Sequence, residues 1–125
     1  MIKILLVDDD FAVRDTMNDF LEFFVDKLQI DQAKDGREAL SIIESNSYHI
    51  LITDQMMPDM KGSELIAEAI KKLREDKTEI YIYSGQLMDE LTIELADYGE
   101  VKIIDKFTNP MFFKDIIEEY KSKRS

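Results

Sequence analysis

The chain contains no cysteine. That absence removes disulfides, thiolate nucleophiles and zinc–sulfur sites together. Basic residues are scarce: 16 Lys and Arg stand against 27 Asp and Glu, for a net charge of −11. So acidic a surface repels phosphate backbones, which argues against direct nucleic-acid binding. Long hydrophobic runs are missing too, and the apolar stretch at the N-terminus stops at Asp8, Asp9 and Asp10. Neither a signal peptide nor a membrane span is expected, and the expected location is the cytoplasm. Repeats, low-complexity segments and linkers are absent. What remains is 125 residues, 45% of them hydrophobic, enough for one domain over 1–125 with a real core.

Two periods alternate along the chain. Short apolar runs rich in β-branched residues occur at Ile2–Val7, His49–Thr53, Glu79–Ser84 and Val101–Asp105, with a weaker one at Leu28–Lys34. Between them lie amphipathic segments of helical spacing. The first carries Met17, Phe20, Leu21, Phe24 and Leu28. The second opens at Asp35, an N-cap with Glu38 three residues on, and turns Leu40 and Ile43 inward. The third has Leu65, Ile66, Ala69, Ile70 and Leu73. The fourth has Met88, Leu91, Leu95 and Tyr98, with Gly99 suited to the residue past its end. The last starts at Asn109 with Pro110 in the first helical position, then Phe113, Ile116, Ile117 and Tyr120. Five strand–helix units with continuous apolar strands predict an α/β fold, a parallel sheet covered on both faces. Right-handed crossovers make it doubly wound, and five units are too few for a closed (β/α)8 barrel.

Ligands of open α/β sheets bind at the carboxyl ends of the strands, where the strand order reverses. Those ends here carry Asp8, Asp9 and Asp10; Lys34 and Asp35; Asp54; Ser84 and Gly85; and Asp105 with Lys106. Asp10, Asp35 and Asp105 are read as turn and cap residues. Asp8, Asp9 and Asp54 are harder to explain that way. Three carboxylates converging with one ammonium leave an excess of negative charge, which protons or a cation must relieve. A divalent ion preferring oxygen, such as Mg2+, is the natural relief. The same aspartates exclude a flavin phosphate from the loop after the first strand, which would need backbone and hydroxyl donors there.

These residues, in this order, resemble the receiver domain of two-component response regulators. The resemblance runs from residue 2 to about 120 and rests on Leu5-Leu6-Val7-Asp8-Asp9-Asp10, Ala33-Lys34-Asp35-Gly36-Arg37-Glu38-Ala39-Leu40, Leu51-Ile52-Thr53-Asp54-Gln55-Met56-Met57-Pro58-Asp59-Met60-Lys61-Gly62, Ser84-Gly85 and Lys106. It implies a flavodoxin-like five-stranded parallel sheet of order 2-1-3-4-5, which sets Asp8 and Asp9 beside Asp54. It implies Asp54 as phosphoacceptor, taking a phosphoryl group from a phosphohistidine of a sensor histidine kinase or histidine phosphotransfer protein. Mg2+ would be held by Asp9, Asp54 and the backbone carbonyl of Met56, with Asp8 acting mostly through water. Ser84 would donate to the phosphoryl group and Lys106 would pair with it. Such a domain is a regulator that catalyses only its own phosphorylation and dephosphorylation. A monomer or weak dimer is expected and, if the chain is complete at Ser125, a signal that passes by contact with a downstream protein.

Departures from the family pattern are confined to signal output. Ile103 replaces an aromatic switch residue, and Phe107 replaces a proline after the lysine, so the Lys106–Phe107 peptide is expected to be trans. Tyr81 and Tyr83 place two phenols in a strand that is normally aliphatic. Met56 and Gln86 occupy positions that tune attack by water, and an apolar Met56 favours a long-lived phospho-form. A haloacid-dehalogenase-type phosphatase using Asp8 and Asp10 is the alternative; it leaves Asp54 without a role and finds Ala12 where its motif wants Thr or Val. A degenerate receiver would need a broken pocket, and none of the five pocket residues is replaced. His49, the single histidine, is read as a surface or helix-packing residue at the amino end of the sheet, and Phe23 as an isolated surface aromatic.

Overall fold

The computed structural model describes residues 1–85, 88–105 and 111–124, and of residues 88, 89 and 124 the backbone alone. Lys106, Phe107 and the peptide between them, Gln86, and the Asn109–Pro110 helix start lie outside the described residues. The elements run β1 (Ile2–Val7), α1 (Phe11–Phe24), β2 (Leu28–Ala33), α2 (Gly36–Ser45), β3 (Ile50–Asp54), α3 (Gly62–Glu75), β4 (Glu79–Ser84), α4 (Met88–Glu94), β5 (Val101–Asp105) and α5 (Met111–Arg124). All strand pairs are parallel, and the sheet order is β2-β1-β3-β4-β5. The expected doubly wound five-stranded sheet is the observed one.

Strand periodicity divides the core. Leu5, Val7, Leu51, Ile80 and Ile82 face one layer with Ala39, Ile43, Leu65, Ile66, Ala69, Leu73, Leu91 and Leu95 of and just beyond α2, α3 and α4. Ile4, Leu6, Ile50, Ile52, Tyr81 and Tyr83 face the other, with Leu21 of α1 and Phe113, Ile116, Ile117 and Tyr120 of α5. Ile103 is half-buried and packs on the first layer. The caps follow the sequence: Asp10 Oδ1 accepts from the Ala12 and Val13 amides, and Asp35 Oδ1 from Glu38.

Three local expectations are corrected. Leu28, expected both on the first helical stripe and at the start of the second strand, belongs to β2 alone, because the chain leaves the helix at Val25 and reverses through Lys27 at φ 60. Phe24 is consequently exposed, and Val25 takes the buried place. Gly99 has no positive φ, so it is not a left-handed helix terminator; α4 ends at Glu94, ahead of it. His49 is half-buried, and its Nδ1 accepts the Lys3 amide at 2.9 Å at the amino end of the sheet. Phe23 is exposed, as expected.

Two buried phenols lie far from the carboxyl edge of the sheet. Tyr48 donates to Asp31 at 2.5 Å and Tyr81 to Glu79 at 3.0 Å. Burial, reinforced by each carboxylate, pushes both phenols well above their usual value near 10. A raised folded pKa means that these neutral phenols stabilise the fold fully below about pH 10 and progressively less above it, as the unfolded chain releases protons the fold retains. Each phenol then removes at most about 1.4 kcal/mol per pH unit. Urea unfolding should show stability falling between pH 10 and 11.5, with a smaller fall in Tyr81→Phe; equal slopes would contradict it.

Candidate functional site

Parallel strands deliver their last residues to one edge, and β1 and β3 are neighbours through Val7 and Thr53. Asp8 and Asp9 therefore meet Asp54, and one carboxylate oxygen from each lies within 4.8 Å of the other two. Asp8 and Asp54 are buried (1% and 2% exposed), while Asp9 is open to solvent. Asp10 stands outside this group because its carboxylate is engaged as the cap of α1. Ser84 ends β4, buried and in register with Asp105. Of the residues singled out from sequence, the structure thus brings together Asp8, Asp9 and Asp54 and sets Ser84 on the same edge. The Met56 amide donates to Asp54 Oδ1 at 3.4 Å, and the Met56 side chain is exposed.

The cluster suits a hard cation. Two oxygens bound to one Mg2+ lie at most about 4.2 Å apart, given metal–oxygen distances of about 2.1 Å. Drawing this oxygen set onto one ion needs only small side-chain movements. The donors are all carboxylate oxygens, with no sulfur or imidazole to favour a softer metal.

Asp8 is held from several sides. Its Oδ1 accepts the Asp10 amide at 2.8 Å, its Oδ2 accepts the Tyr83 hydroxyl at 2.5 Å, and its carbonyl accepts Arg14 Nη1 at 2.5 Å. Tyr83 is buried, its ring set edgewise to Phe113. Burial, and then the charge of Asp8, push its phenol far above the usual range, so it stays protonated and donates. The sequence marked Tyr83 as unusual but gave no sign of its partner.

A second network starts next to Asp54. Gln55 is fully buried; its Nε2 donates to Ser63 Oγ at 3.0 Å and Glu94 Oε2 at 3.3 Å, while its Oε1 accepts the Ser63 amide at 2.7 Å. Ser63 Oγ donates to Glu94 at 2.9 Å. The first turn of α3 and the end of α4 are thereby tied to the residue after Asp54. Gln55→Ala would orphan the Ser63 amide and open a cavity. It should cost about 2–4 kcal/mol in chemical denaturation; a loss below about 0.5 kcal/mol would contradict this. Asp59, from the same loop, accepts the Gly36 and Arg37 amides at 3.2 and 3.0 Å. Slight burial opposes its ionisation, but these amides outweigh it and hold the carboxyl below its usual value. It therefore tethers the loop to α2, most firmly above the carboxylate range. Neither Gln55, Ser63 and Glu94 nor Asp59's tether was legible as function in the sequence.

Three carboxylates at the reversal point of an open parallel sheet define an acidic-pocket protein of the flavodoxin-like class. The family model of the response regulator receiver domain matches residues 4–118, and the chain belongs to that family. Receiver domains are the regulatory modules of two-component phosphorelay signalling. A CheY-like receiver domain protein from Methanospirillum hungatei is 31% identical, with a TM-score of 0.81 over 98% of this chain and 93% of that one. Response regulator TrrA from Thermotoga maritima, solved in complex with Mg2+-BeF, is 25% identical, with a TM-score of 0.79 over 95% of this chain and 98% of that one. The transcriptional regulatory protein CiaR of Streptococcus pneumoniae is 39% identical over 72 residues, which are 58% of this chain and 31% of that protein. The chain thus spans less than half the length of the first curated relatives it matches. Among the described residues, no helix is long and apolar enough to cross a membrane.

Proposed function

We propose that this chain is a single receiver domain over 1–125 that accepts a phosphoryl group on Asp54. The donor is a phosphohistidine of a sensor histidine kinase or histidine phosphotransfer protein, and the output is a changed contact with a downstream protein. The observation that carries this reading is the convergence of the Asp8, Asp9 and Asp54 oxygens within 4.8 Å at the carboxyl edge of the sheet. A carboxylate oxygen of Asp54 attacks phosphorus, the phosphorus–nitrogen bond to imidazole breaks, and an acyl phosphate forms on Asp54. Asp9, Asp54 and the Met56 carbonyl would hold Mg2+, with Asp8 beside them, and the ion would supply charge neutralisation at the phosphoryl oxygens. Ser84 donates to the phosphoryl group and Lys106 pairs with it. The Mg2+-BeF complex of TrrA supports the ion assignment. The tie between Asp10 and the α1 amides disfavours the phosphatase reading, which needs that carboxylate at the reacting centre.

The test is intact-mass analysis after incubation with acetyl phosphate and Mg2+. One phosphoryl group should be added, should map to the peptide containing Asp54, and should fail to form when a chelator is present from the start. An adduct that forms in chelator, or maps elsewhere, overturns the reading.

A further inference from the structure

Asp8 and Tyr83 sit on strands that are not neighbours, since β3 lies between β1 and β4. Adjacent strands are about 4.8 Å apart, so a donor on β4 must reach across a whole strand to bond a residue at the end of β1. Serine and threonine are too short, and lysine or arginine would bring a full charge into the apolar layer of Ile4, Ile52 and Phe113. A phenol is long, neutral and an O–H donor. Tyr83, in register with Asp54, spans that gap and ends at 2.5 Å from Asp8 Oδ2.

The consequence is for the way Asp8 can meet a cation. Each of its oxygens already accepts one hydrogen bond, Oδ1 from the Asp10 amide and Oδ2 from Tyr83. The plane of the carboxylate is thereby fixed, with one lone pair left on each oxygen. A carboxylate so held does not turn to present both oxygens to one ion, yet it still accepts hydrogen bonds from water bound to that ion. Mg2+ binds with few carboxylates and retained waters, whereas Ca2+ takes six to eight oxygens and favours bidentate carboxylates.

Resting on the metal-binding role given above to the aspartate cluster, we propose that Tyr83 is a positioning residue that makes this site select Mg2+ over Ca2+, by pinning Asp8 through a hydrogen bond that crosses β3. The Tyr83→Phe variant keeps the ring and its contact with Phe113 while releasing Asp8 Oδ2.

Calorimetric titration of Mg2+ and of Ca2+ into the unphosphorylated protein and into Tyr83→Phe tests this. The ratio of the Ca2+ to the Mg2+ dissociation constant should fall about 10-fold in the variant, the lower end of what supporting residues contribute to metal sites. In an Asp8→Asn background the same substitution should leave the ratio unchanged, because Tyr83 acts through Asp8. A merely structural role would weaken both ions by one common factor, and that outcome overturns the proposal, as does an unchanged ratio or a fall that persists with Asn at position 8. Circular dichroism and the unfolding midpoint verify that the variant is folded. If the unaltered protein shows no saturable Mg2+ binding, the metal assignment itself fails and the selectivity role with it. If it binds Mg2+ but the ratio does not move, only the role of Tyr83 fails.

Discussion

Asp54→Asn is expected to abolish Mg2+-dependent phosphorylation completely while leaving the domain folded and slightly more stable. Asparagine matches the shape of aspartate, and its amide oxygen still accepts the Met56 amide that now reaches Asp54 Oδ1. It carries no negative charge, so the nucleophile is lost and the cation is left with one anionic ligand fewer. The gain in stability has a separate cause. Asp54 is buried beside Asp8, with Asp9 completing a set of like charges within 4.8 Å. With an effective dielectric constant between about 20 and 80, the repulsion removed is on the order of 1–3 kcal/mol per neighbouring carboxylate in the absence of a cation. Intact mass with acetyl phosphate reads the first effect and urea unfolding in chelator reads the second. Full phosphorylation of the variant would overturn the acceptor assignment. Lost phosphorylation together with a strong loss of stability would show that the aspartate has a structural role instead.

Gly62→Ala should damage the fold more than any other single methyl added at a described glycine. A Cβ built there would lie 2.3 Å from the carbonyl oxygen of Asp54 and 2.9 Å from Ile82 Cδ1. The first contact is with the backbone of β3, whose Asp54 carbonyl also accepts the buried Thr53 hydroxyl, so it cannot give way cheaply. Gly62 is needed for close approach, where the first turn of α3 abuts the end of β3, and the Gly62 amide bonds Gln55 O at 2.9 Å. Overpacking against backbone places the change in the extreme class, about 4 kcal/mol or more, and should lower Tm by roughly 15 °C. Gly99→Ala, with nothing within 4 Å of the added methyl and an ordinary φ, is the control and should be near neutral. Because the strain acts on Asp54 itself, phosphorylation at a temperature where Gly62→Ala is still folded should slow by about 10-fold or more. A Tm within 3 °C of the unaltered protein would contradict the packing account.

How much of this was legible beforehand depended on the range of each interaction. Ile2–Val7 and Glu79–Ser84 match to the residue because a strand buried on both faces is almost continuously apolar, and the partly buried edge strand Val101–Asp105 matches through its β-branched Val101, Ile103 and Ile104. Leu28 fits two patterns, the helical stripe of Leu21 and Phe24 and the start of the second strand, and the reversal that decides for the strand turns on Lys27, a residue with no turn preference to betray it. Asp10 and Asp35 were read correctly as caps, since a cap bonds amides two or three residues away.

The sequence by itself determined the parallel sheet, its covering helices and the edge on which Asp8, Asp9, Asp54 and Ser84 emerge. Those features follow from periodicity and from the rule that parallel strands all end on the same side. Only the tertiary structure decided that Tyr83 holds Asp8, that Gln55 ties α3 to α4 through Ser63 and Glu94, and that Asp59 caps a helix not its own. These bonds join residues 8 to 75 positions apart, and their geometry is set by how neighbouring strands and helices pack. A hydrogen bond is decided within a few tenths of an ångström, a precision that local pattern does not carry and that the packed fold supplies.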